Sequence, residues 1–138
     1  MKDINVLPKS NFPPLLSLTY VLQHSSDELL NKEAGISLSQ TRIMSALGAM
    51  PVSQRAVAVS LHQTEANVSR QLQLMKKHGL VSITKNKKDG RQRDVILTAK
   101  GRRKHQKAKE VLRHFERSIA SKEASAIRLA AQTLTDNL

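Results

Sequence analysis

Apolar positions recur along this chain with two periods. Leu15, Leu18, Leu22 and Leu29 follow helical spacing, and Leu16 and Leu30 widen the stripe, as in an amphipathic helix. Proline is tolerated in a first helical turn and glycine stops a helix, so Pro13, Pro14 and Gly35 bracket a first helix from about Pro14 to Lys32. Its mixed faces imply packing against something larger than a small head. A second helix, SQTRIMSALGAM, is expected with Ser39 as cap, an inner stripe of Ile43, Leu47 and Met50, and an end at Gly48 and Pro51. Ser53 then caps a short third helix whose Val57, Ala58 and Leu61 face inward. After a polar turn from His62 to Thr64, a fourth helix is capped by Thr64, carries Glu65 in its first turn, buries Val68, Leu72 and Met75, and stops at Gly79.

The period then changes from helical to alternating. VSITK, with Val81 and Ile83 against Ser82 and Thr84, and RDVIL, with Val95 and Leu97 on one face, read as half-buried strands. They are joined by NKKDGRQ, where Asp89-Gly90 is a turn signal. Thr98 caps a fifth helix expected to reach about Ala120. Its first half is almost wholly basic or polar, and its second half is expected to bury Val111, Leu112, Phe115 and Ile119. A last helix, SKEASAIRLAAQTLTDNL, sets Ile127, Ala130, Ala131, Leu134 and Leu138 on one face. The fold class is therefore mainly α with a small β-wing. Its organisation is an N-terminal helix (1–36), a helix-turn-helix with wing (37–99) and a C-terminal long helix with a final helix (100–138).

Composition narrows what such a fold can do. The chain has 138 residues and a net charge of +12, enough length to bury roughly two-thirds of its unfolded surface without staples. From Lys76 to Lys109 there are thirteen basic side chains, opposed only by Asp89 and Asp94. A solvated helix face alternates signs, whereas this tract does not, so it points to a polyanion. The aromatics are Phe12, Tyr20 and Phe115, too few for the stacking platforms that grip single strands. No cysteine is present, so disulfides, cysteine-based zinc sites and thiol switches are not expected. With no apolar run of membrane-spanning length and no apolar secretory core at the N-terminus, a cytoplasmic protein without membrane contact is expected.

The polar face of the fourth helix carries hydrogen-bonding types suited to base edges and phosphates, and the wing tip carries cations into solvent. The expected DNA-binding set is Ser53, Thr64, Glu65, Ala66, Asn67, Ser69, Arg70, Gln71 and Gln73 on the helix pair, with Lys87, Lys88, Asp89, Arg91 and Arg93 on the wing. Helix pairs joined by tight turns are common, and many never meet DNA; the basic wing beside this one tips the reading toward duplex DNA. Catalytic chemistry is not expected. His24, His62, His78, His105 and His114 show no metal-like spacing, and there is no nucleophile elbow or phosphate-cradling glycine loop. No cofactor or metal is expected.

Between about Leu38 and Gly101 the order of elements resembles the MarR family of winged helix-turn-helix regulators. NVSRQLQLMKKHGLV resembles the family's recognition helix and its glycine exit; Asp89-Gly90-Arg91 resembles the acid-x-arginine element of its wing; LTAKG, Leu97 to Gly101, resembles its threonine-capped restart. The resemblance implies a homodimer built from the terminal helices, with the fourth helix in the major groove and the wing in the minor groove. Arg91 would be the inserted side chain, and Asp89 would orient it or hold the loop through a charge-assisted bond. Arg70 falls where the family places a polar or basic contact. Where glycine is common at the start of the turn, this chain has His62. The resemblance further implies a repressor acting on a near-palindromic operator. It leaves a place for a small-molecule effector of unknown identity, although no residue pattern marks a pocket. The alternative is an architectural protein that coats DNA with little sequence preference; a third reading is a winged-helix module for protein partners.

Overall fold

The computed structural model describes residues 13–119 and 124–138. The expected irregular segment 1–12 and the join between the last two helices, residues 120–123, lie outside them. The elements in order are α1 (Pro14–Glu33), α2 (Leu38–Ala46), β1 (Val52–Ser53), α3 (Gln54–Ser60), α4 (Glu65–Lys77), β2 (Val81–Lys85), β3 (Arg93–Leu97), α5 (Ala99–Ile119) and α6 (Ala124–Asp136). This is the mainly helical fold with a small β-wing that the periodicities predict.

Two expectations about α2 are corrected. Its cap is Ser37, not Ser39: Ser37 Oγ accepts from Gln40 N at 3.0 Å while Gln40 Oε1 accepts from Ser37 N at 2.9 Å. This reciprocal pair satisfies two otherwise orphaned donors. The helix also ends at Ala46 rather than running to Met50, which is 74% exposed. Leu47 turns extended, and the chain goes on to pair Val52 with Val95 and Ser53 with Asp94. That two-residue strand, too short for any period to show, completes an antiparallel sheet in the order β1-β3-β2. The β2–β3 register sets Val81 against Leu97 and Ile83 against Val95, so the apolar alternation of both strands falls on one face.

The core is continuous through the head. Ile43 and Met44 of α2, Val57 and Ala58 of α3, and Val68, Leu72 and Met75 of α4 meet Val81, Val95 and Leu97 of the sheet, with Leu30, Ala108 and Val111 closing it. α5 packs against α1, α2 and β3. Its buried positions are Gly101, Ala108 and Val111, so the basic first half reaches the core through two small residues. The expected burial of the second half is corrected: Leu112 and Phe115 are only half-buried, and Ile119 is 51% exposed.

The first helix behaves likewise. Leu30 is buried and Leu22 and Leu29 half-buried, but Leu15, Leu16 and Leu18 stay exposed. In α6 every side chain from Ser125 onward is exposed. No described helix is long and apolar enough to cross a membrane.

Candidate nucleic-acid interface

Thr64 opens α4 by accepting from Asn67 N at 3.2 Å, and its neighbour Glu65 pairs with Arg55 Nε at 3.7 Å. Arg55 lies on α3 and was not expected at this surface; the exposed pair links the first turns of the two helices. Ser53 accepts from Ala56 N at 3.1 Å, starting α3 as expected. With Val68, Leu72 and Met75 inside, α4 turns Glu65, Ala66, Arg70 and Gln73 fully outward and leaves Asn67, Ser69 and Gln71 half-buried. The two half-buried amide bearers are not free: Asn67 Nδ2 and Gln71 Nε2 both donate to Gln63 Oε1, at 2.9 and 3.0 Å. The polar face is therefore partly pre-ordered.

The turn before α4 explains an oddity of the sequence. His62 holds φ at 52°, a left-handed conformation that favours glycine. Histidine here is thus made to adopt a backbone that a glycine would hold without strain.

α4 ends where its glycine is required. Gly79 has φ 71° and passes the chain into β2. Thr98, at the end of β3, fastens this exit. Its hydroxyl donates to Gly79 O at 2.6 Å and accepts from Gly101 N at 3.0 Å, while its own N–H donates to Leu80 O at 3.1 Å. A Cβ on Gly101 would collide with the Leu80 carbonyl. The exit of α4, the wing and α5 are therefore one frame.

The wing tip is built by Asn86. Its Oδ1 accepts from Lys88 N at 2.8 Å and Asp89 N at 2.9 Å, and its Nδ2 donates to Asp94 Oδ2 at 2.9 Å. Asp89 Oδ1 accepts from Arg91 N at 3.0 Å, an Asx-type turn. Of the two roles left open for Asp89, it takes the second: it holds the loop. Among the described residues no ion pair joins it to a guanidinium, so Arg91 keeps its charge in solvent. Arg93 instead braces the loop, Nη1 donating to Gly90 O at 3.3 Å. Lys87, Lys88 and Arg91 are exposed.

Part of the basic tract serves the fold. Lys100 Nζ donates to His78 O at 2.9 Å and Lys104 Nζ to Ala34 O at 2.8 Å, capping the C-terminal ends of α4 and α1. Cations there also meet the negative end of the helix dipole. Arg102 Nη1 donates to Leu97 O at 3.0 Å. His105, half-buried against α2 with Nε2 3.0 Å from Ser45 Oγ, is held below its ordinary pKa by burial and then by Lys109.

Sequence reasoning missed Gln63, Arg55 and Asn86. Gln63, Asn67 and Gln71 are spaced four apart, a signal that was present but crossed a helix boundary. Asn86 gave none beyond being a turn-forming type.

A family model described as the MarR family matches residues 34–92. The transcriptional regulator BldR from Sulfolobus solfataricus is 21% identical over 90% of this chain and 91% of its own, with a TM-score of 0.78. The M. tuberculosis transcriptional regulator MOSR, solved in complex with DNA, is 21% identical over 89% of this chain and 91% of its own, with a TM-score of 0.71. The transcriptional repressor CouR, bound to a 23-mer DNA duplex, is 21% identical over 88% of this chain and 87% of its own, with a TM-score of 0.79. At such identities the likeness is one of fold. No curated protein sequence matches the chain. Members of the MarR family are transcription regulators, not enzymes.

Proposed function

We propose, taking residues 34–92 as a MarR-family segment set in the family's winged-helix fold, that this chain is a sequence-specific regulator of transcription that binds double-stranded DNA as a homodimer. The observation that carries the reading is the single frame formed at Thr98, which fixes the exposed face of α4 and the cationic wing relative to each other. α4 would lie in the major groove, with Arg70 and Gln73 outermost. The wing would bring Arg91 to the adjacent minor groove, where a free guanidinium is favoured. Residues 37–99 would form the reading unit, and the flanking regions 1–36 and 100–138 the dimer interface. Support for the latter is the exposed apolar surface of Leu15, Leu16 and Leu18 together with Ile127, Leu129 and Leu134.

A dimer of two-fold symmetry calls for a near-palindromic operator with half-sites about one helical turn apart. Occupying such a site would exclude other proteins from the same DNA, which makes repression the sign of regulation we propose. The setting is the cytoplasm. The test is a footprint of the purified chain on genomic fragments in the presence of bulk competitor DNA. A regulator keeps a symmetric site ~10³-fold or more above competitor, with steep salt dependence. An asymmetric, even coating of every fragment would instead support the architectural reading.

A further inference from the structure

Gln63 was not among the residues expected to meet DNA, yet it decides how two of them are presented. It stands in the turn between α3 and α4 and is half-buried. Its N–H donates to the carbonyl of buried Ala58 at 3.0 Å, and the left-handed His62 directs the chain into that bond. From this fixed base its side-chain oxygen accepts from both Asn67 and Gln71. One acceptor therefore orders two amides that lie a helical turn apart on α4.

A solvated amide side chain turns freely about its terminal torsion and offers its donor and acceptor in either order. An adenine edge in the major groove presents one order only, an acceptor beside a donor, and an amide matches it with two bonds. An amide held in one orientation can therefore discriminate between bases, whereas a freely turning one discriminates less. Phosphate contacts supply the salt-dependent affinity, and Gln63 carries no charge with which to alter them.

We infer that Gln63 is a specificity-determining positioning residue: it holds Asn67 and Gln71 as an ordered pair that reads base edges, adenine foremost. The inference rests on the DNA-binding reading above. The test compares the full chain with its Q63A and Q63E variants, each used to select duplexes from a random-core library. The preferred duplex is then titrated against a scrambled one. The wild-type chain is expected to favour adenine at one or two positions per half-site. Q63A flattens the preference at those positions and lowers the preferred-to-scrambled affinity ratio about tenfold, near the low end for one base contact. Its melting temperature and salt slope stay where they were. Q63E keeps an acceptor for both amides, so the base preference survives while every duplex is bound more weakly by a common factor. An unchanged ratio in Q63A, or a Q63E variant as indiscriminate as Q63A, overturns the inference and leaves the DNA-binding reading standing. A wild-type chain with no preference among duplexes removes the specificity reading itself, and this inference with it.

Discussion

The head of the molecule, from Ser37 to Gly101, and the outer ends of the helices that flank it differ in how they treat apolar stripes. In the head, the large apolar side chains Val68, Leu72, Met75 and Val95 are fully buried. The polar side chains of the turns find partners within a few residues, as Asn86, Asp89 and Thr98 do. In the flanks, Leu15, Leu18, Ile127 and Leu134 are about half exposed although their spacing is that of a buried stripe. Lone exposed apolar residues are ordinary, whereas stripes of them mark a surface for another body. The head buries most of its large apolar side chains within one chain; the flanks leave the apolar stripes on which the proposed dimer rests.

The sharpest way to break that contrast is to damage the head's frame. Gly101→Ala forces a Cβ into the Leu80 carbonyl, which is backbone and cannot swing away. We expect a loss of about 3 kcal/mol or more in thermal unfolding. Gly90→Ala, with nothing within 4 Å of the added carbon, should change stability by less than about 0.5 kcal/mol.

Next in size is the flank. The paired substitution Ile127→Ser with Leu134→Ser removes two apolar side chains one heptad apart. Sedimentation is expected to show self-association weakened about a hundredfold or more, with the head's far-ultraviolet signal intact. Unchanged association would mean that α6 is not part of the interface.

Within the head, Arg91→Ala should weaken binding to the preferred duplex about tenfold, while Lys87→Ala should mainly lower the salt slope by about one unit. Equal and trivial effects would take the wing out of recognition. Smaller again is His62→Gly, which relieves a left-handed backbone at a cost in unfolded-chain freedom. Denaturant titration should show a net gain of about 0.5 kcal/mol. The smallest effect concerns pH. Burial, and then Lys109, hold His105 below its ordinary value of 6.5, so under mildly acid conditions the unfolded chain takes up a proton that the folded chain resists. Its contribution is present above 6.5 and is lost as pH falls through that value toward the folded pKa. Melting temperatures of His105→Gln, compared with the parent between about pH 7.5 and pH 5.5, should show a shallower fall on acidification.

Much of this was legible beforehand, and for identifiable reasons. Val68, Leu72 and Met75 announced α4 because burial on one helix face imposes its period on the sequence. Val81, Ile83, Val95 and Leu97 announced the wing because a half-buried strand alternates. Thr64 and Ser53 were recognisable as caps because capping needs only a short side-chain oxygen within three residues. Ser39 misled because Ser37 offered the same chemistry two residues earlier with Gln40 as its reciprocal partner. β1 was invisible because two residues have no period.

What the amino-acid order determined alone is what local physics can encode: helix faces, strand alternation, caps, the concentration of positive charge and the position of the wing tip. Tertiary structure decided which members of that charged tract remain free. Lys100 and Lys104 are bound to carbonyls at the ends of α4 and α1, partners 22 and 70 residues away, which no window along the chain contains. It also decided that Gly101 must be small, since only the approach of Leu80 makes it so, and that Gln63, lying before the helix, governs two side chains on it. Periodicity reports which way a side chain faces; what it meets there depends on elements brought together by folding.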